Sequence, residues 1–294
     1  MKATHPSRYR AANYFDRSRH PLLYGISQEA DWISEDEFPA APEWADVHEE
    51  WLRFVDGKGQ TARFVSRLTK SAYQRDRTFA EIAVGYFLET KCSLPIIEWE
   101  PRGEARTKGE FMVGSPNERM FVEVKTGGWE KDIKDAEGKS SPRLSQPKYI
   151  HAEARPVAPW AVIRNAVSNA YRKFLESTPT LLIIKDDYFV CLDKFNADLA
   201  LYCPVRGQHT SGYLAENGHF ADKRFERLGG VGILNVGLSA QVLRYCFSLY
   251  DNPNAVDTVK VWLAVTRSWS FVAPFTVILC VPLLRPLSSP LKPF

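Results

Sequence analysis

Glu123, Val124 and Lys125 close the stretch Phe121-Val122-Glu123-Val124-Lys125, in which apolar side chains alternate with a carboxylate and an ammonium. Side chains of a strand alternate between its faces, so Val122 and Val124 take one face while Glu123 and Lys125 leave together on the other. Upstream, Glu110-Phe111-Met112-Val113 reads as a second short strand, and the residues between the two, Gly114-Ser115-Pro116-Asn117-Glu118-Arg119, are turn formers. A hairpin about that turn sets Glu110 opposite Glu123 or Val124. Two carboxylates and a lysine at one end of a hairpin are a donor set for Mg2+ or Mn2+, with a cation at hand for a phosphate or an attacking water.

A third acid belongs to the element that precedes the hairpin. Phe79, Ile82, Ala83, Tyr86 and Phe87 recur at i, i+3, i+4, i+7 and i+8, which predicts a helix with a core-facing stripe. Glu81 lies on its other side among Val84, Gly85 and Leu88, so the helix is apolar nearly all round and expected to be buried. A buried carboxylate is costly unless it is paired or ligates a metal. Downstream, Ile163, Ala166, Val167, Ala170 and Phe174 predict a second amphipathic helix, and Leu181-Leu182-Ile183-Ile184 a buried strand. Each acid also has an ordinary reading: Glu123 and Lys125 on the wet face of an antiparallel strand, Glu81 on a helix surface, Glu110 beside a turn. Their joint placement is what argues for a site.

The ordered set of Glu81 on a helix, Glu110 on a strand and Glu123-Val124-Lys125 on the next strand resembles the PD-(D/E)XK nuclease superfamily. With the following helix and strand, the likeness covers about residues 76 to 187. The resemblance implies an α/β fold: a restriction-endonuclease-like αβββαβ core with a central mixed sheet flanked by helices. It implies Mg2+- or Mn2+-dependent hydrolysis of nucleic-acid phosphodiester bonds, DNA foremost. Glu110, Glu123 and the Val124 backbone carbonyl would hold the metal, Glu81 would complete the shell, and Lys125 would orient or deprotonate the attacking water. The superfamily most often carries Asp, preceded by Pro, where this chain has Gly109-Glu110. That departure leaves an alternative open, an inactive nuclease-fold module that binds nucleic acid or another protein.

Around this core the chain divides into an acidic, Trp-rich addition over 1–75, the nuclease-like domain over 76–250 and an apolar tail over 251–294. From Gln28 to Glu50 every charged residue is acidic, and Trp32, Phe38 and Trp44 are interleaved, so ordered structure that packs on something is expected there. A partner protein or a second copy of the chain is the partner this region suggests. The sign of the charge then reverses at Arg63, Arg67, Lys70, Arg75 and Arg77, with Arg63 and Arg67 on one helical face. Those two, with Arg172 and Lys173 on the second helix, are weak candidates for phosphate contacts against the commoner solvated-face reading. The polar segment 126–156, with Lys131, Lys134, Lys139, Arg143 and Lys148, is a candidate strap over nucleic acid.

Other chemistries find little support. The net charge of +3 does not by itself argue for nucleic acid. Five scattered cysteines, Cys92, Cys191, Cys203, Cys246 and Cys280, form neither a disulfide framework nor a zinc ribbon and fit a reducing compartment. No zinc-hydrolase or serine-hydrolase pattern occurs. Gly229-Gly230-Val231-Gly232 lacks the third glycine of a dinucleotide loop and reads as a strand start, while Asp186-Asp187 reads as a turn. Phe271 to Leu284 is apolar but shorter than the roughly 20 residues that span a bilayer, and Pro274 and Pro282 interrupt it. It reads as a buried extended segment or a loose tail. The basic N-terminus does not resemble a secretory signal, and the expectation is a cytoplasmic protein without membrane contact.

Overall fold

The apolar periodicities fold as helices and strands in the computed structural model, which describes residues 17–29, 43–70, 72–115, 117–127, 159–186, 192–202, 218–239, 242–259 and 276–282. Four helices come first: α1, Pro21–Glu29; α2, Glu43–Gly57; α3, Thr61–Leu68; and α4, Ala72–Tyr86, which runs on into a π turn at Phe87–Lys91. An antiparallel meander follows, β1 Ile96–Trp99, β2 Phe111–Gly114 and β3 Arg119–Thr126. The β2–β3 turn closes by Ser115 N–H donating to Glu118 C=O at 2.7 Å.

A parallel neighbour needs a crossover, because a short turn can join only antiparallel strands. Helix α5, Pro159–Tyr171, lies between β3 and β4, Thr180–Asp186. Helix α6, Lys194–Leu201, capped by Asp193 accepting from Asn196 N–H, lies between β4 and β5, Gly230–Ser239. Strands β6, Val242–Asp251, and β7, Thr276–Pro282, pair antiparallel at the far edge. The sheet is therefore mixed, seven strands in chain order, with β3–β4–β5 parallel at its centre.

Alternation along β3 divides the core into two layers. Met120, Val122 and Val124 pack with Phe111, Val113, Leu181 and Ile183 beneath α1–α4, while Phe121, Met112, Leu182 and Ile184 pack beneath α5 and α6. Every member of the α4 stripe, from Phe79 to Phe87, is buried, as are Val84 and Leu88 on its other side. The aromatic residues of 43–68 pack on the sheet itself. Trp51 is buried and its Nε1–H donates to the Tyr245 hydroxyl at 3.1 Å, and Phe64 and Leu68 enter the same core as Ile82 and Val122.

Residues 276–282 of the apolar C-terminal stretch form β7; Trp32, Phe38 and the strap residues Lys131 to Lys148 lie outside the described residues. Asp186 is the last residue of β4 and its Oδ2 accepts from Leu192 N–H at 3.4 Å, while Asp187 and the expected turn lie outside the described residues. Among the described residues no helix is long and apolar enough to cross a membrane.

Candidate active site

Glu110, just before β2, and Glu123, on β3, lie within one another's field. Phe111 pairs with Val122, and Glu110 N–H also donates to Val122 C=O at 3.1 Å, an irregularity that sets Glu110 as well as Phe111 beside Val122. Glu123 lies two residues from Phe121 of the α5-facing core within β3, and alternation puts it on that face. The chain can enter β2 here only because residue 109 is glycine: a Cβ would lie 2.3 Å from the Phe121 ring. This close approach is the local reason that glycine precedes Glu110.

Glu123 is fully buried, at 0% exposure, which overturns the wet-face reading of this strand position. A charge taken out of water needs partners. It has two: Oε1 accepts from Lys125 Nζ at 2.5 Å and from Lys173 Nζ at 2.6 Å. Its other oxygen, Oε2, has no hydrogen-bond partner among the described residues.

Glu110 is half-buried, and its carboxyl is pushed up to about 8, first by loss of solvent and then by the negative charges of Glu81 and Glu123. The influence of both acids on one carboxyl shows that the helix acid and the two strand acids share one locality. Glu81 arrives from α4 and is held by Arg67 of α3, whose Nη2 donates to Glu81 Oε2. Arg63, one turn earlier, lies 3.2 Å from Glu100 through its Nη2, and Glu100 also accepts from Lys108 Nζ at 2.9 Å.

The structure thus brings together all four residues expected to act, Glu81, Glu110, Glu123 and Lys125. It also shows where the four weaker candidates lie. Arg63 and Arg67 do not form an outward-facing strip; their guanidinium groups turn inward to Glu100 and Glu81 and lie over the Phe64 ring. Lys173 is a member of the acid cluster through Glu123, and Arg172 is exposed. Glu100 had no signal in the sequence. It follows β1 with a left-handed backbone, φ 55°, a conformation few residues other than glycine adopt. Four carboxylates, Glu81, Glu100, Glu110 and Glu123, therefore face four cations, Arg63, Arg67, Lys125 and Lys173.

Among the described residues no three His, Cys, Asp or Glu side chains lie in one metal-ligand sphere. The donor chemistry nevertheless suits a hard divalent ion. Glu123 Oε2 is a buried oxygen without a partner among the described residues, and Glu110 resists ionising because it is desolvated and then because Glu81 and Glu123 are its neighbours. A cation between the two would satisfy the first and relieve the second. No family model, no curated protein and no solved structure matches this chain.

Proposed function

We propose that this chain is a metal-dependent nuclease with a restriction-endonuclease-like core, hydrolysing nucleic-acid phosphodiester bonds and DNA foremost. The observation that carries the reading is Glu123: fully buried, paired through one oxygen with Lys125 of its own Glu-x-Lys, unpartnered at the other among the described residues, and within the field of Glu110. A stretch placed only for stability would not be expected to bury a carboxylate with an unmet oxygen within the field of a second acid. The element order α4, β1, β2, β3, α5, β4, with the mixed pairing of those strands, agrees with an αβββαβ core.

In this reading Glu110, Glu123 Oε2 and the Val124 carbonyl hold Mg2+ or Mn2+, with Glu81 completing the shell. The ion, when bound, supplies Lewis-acid polarisation of the phosphodiester and offsets its developing charge. Lys125 Nζ, one-sixth exposed beside Glu123, orients the attacking water and meets the negative charge that grows on the phosphoryl group. Lys173 holds Glu123 in place when Lys125 is engaged by substrate, and Arg67 fixes Glu81.

Metal titration tests this reading and gives it a pH dependence. Glu110, raised to about 8, is largely protonated at neutral pH and must lose that proton to ligate. Metal affinity should therefore climb with pH up to about 8 and level off above it, with close to one proton released per ion at pH 7. Calorimetry of Mn2+ binding in buffers of different ionisation enthalpy measures both quantities. Absence of Mg2+ and Mn2+ binding at pH 8 would remove the metal-dependent reading and leave the binding-module alternative.

A further inference from the structure

Arg63 carries more buried donor capacity than its neighbours use. Its side chain is 17% exposed, and its Nη2 is 3.2 Å from Glu100 Oε1 without the angle of a hydrogen bond. Neither Nε nor Nη2 has a hydrogen-bond partner among the described residues. The guanidinium is nonetheless fixed in place. It lies over the Phe64 ring, 5.0 Å from its centroid, and 5.7 Å from that of Trp99, and Glu100 anchors one edge. The anchor is itself held on both sides, by Lys108 Nζ and by Glu100 N–H donating to Glu110 C=O at 3.1 Å, in a left-handed backbone at φ 55°. Glu110 and Glu81 as well as Glu100 act on the guanidinium, so it lies within the field of the acid cluster.

A planar group with two unmet donors, stacked, tethered and partly desolvated beside the acids, suits a tetrahedral oxyanion better than a solvated helix face does. We infer that Arg63 binds the reacting phosphate through its guanidinium, with Glu100 as its positioning residue. The inference rests on the nuclease reading and assigns Arg63 to the scissile group rather than to the flanking backbone.

The test uses the full chain with a duplex oligonucleotide, measuring binding by fluorescence anisotropy over a salt series and cleavage at saturating DNA. Arg63→Gln should lower the saturated rate about 10²–10³-fold, as loss of one preorganised donor does, and reduce the salt slope by about one. Arg63→Lys keeps the charge and should keep the slope, but a single ammonium cannot replace the fork, so most of the rate loss should remain. Were Arg63 only neutralising Glu100, Arg63→Lys would cleave like wild type, and that result overturns the inference. So does a folded Arg63→Gln with unchanged slope and rate. Should wild type bind DNA but cleave nothing, the nuclease reading fails, and the slope of Arg63→Gln alone decides for or against the phosphate contact. If wild type neither binds nor cleaves, both fall.

Discussion

Lys125→Ala is expected to slow cleavage about 10²–10³-fold while the fold and the affinity for Mn2+ stay close to wild type. The structure separates these effects because Glu123 has two cations. Losing Lys125 Nζ leaves the buried Oε1 paired with Lys173 Nζ at 2.6 Å, so the carboxylate is never stranded. What is lost is the ammonium carried by the same strand, beside Glu123 and partly open to solvent. Single-turnover cleavage at saturating DNA, with calorimetry for metal and a thermal melt for the fold, reads all three. Cleavage by Lys125→Ala at the wild-type rate would pass the role to Lys173 or remove the site from the chemistry.

The second large effect is a contrast between two acids of the same cluster. Glu123→Gln and Glu110→Gln should both abolish metal binding and cleavage, yet move metal-free stability in opposite directions. Glu123 lies between two ammoniums, and neutralising it leaves them unbalanced. Breaking a buried pair in this way costs about 3 kcal/mol, the low end of the usual range because both lysines keep some solvent.

Glu110 is the acid that its neighbours disfavour. Its folded-state affinity for a proton, raised to about 8, exceeds that of an unfolded glutamate near 4.3, so the native state binds more protons between these values. Metal-free stability therefore falls as pH rises through that window, and Glu110→Gln should recover it. Melts at pH 6 and pH 9 should show the gain of Glu110→Gln widening at the higher pH. Equal behaviour of the two variants would mean that the acids are not distinguished by their cations.

The hairpin, the α4 stripe and the strand Leu181–Ile184 were legible because each has a strong period and a clear boundary. Gly114 to Glu118 marks the turn, and the apolar spacing of Phe79 to Phe87 marks the helix. The antiparallel pairing of β2 with β3 followed from that turn alone. Strand β1 was not placed, since Ile96-Ile97-Glu98-Trp99 is too short to show a period and its burial does not alternate. The place of Arg63 and Arg67 was misjudged for a different reason. Helical spacing puts them on one face, but only tertiary packing shows that this face meets Glu81 and Glu100 instead of water. Lys173 reaches Glu123 across 50 residues of sequence, a distance over which no local pattern carries information. Glu100 is brought beside Arg63 by a left-handed turn residue that no glycine or asparagine announces.

The proposal that this cluster cleaves nucleic acid is tested most directly by one nuclease assay. Wild type is incubated with supercoiled plasmid and with single-stranded DNA, with Mg2+, with Mn2+ and with chelator, beside Glu110→Gln as the control. The account predicts cleavage of at least one substrate by wild type with metal, none with chelator and none by Glu110→Gln under any condition. Intact DNA in every wild-type lane, or cleavage that survives both chelator and Glu110→Gln, would contradict it.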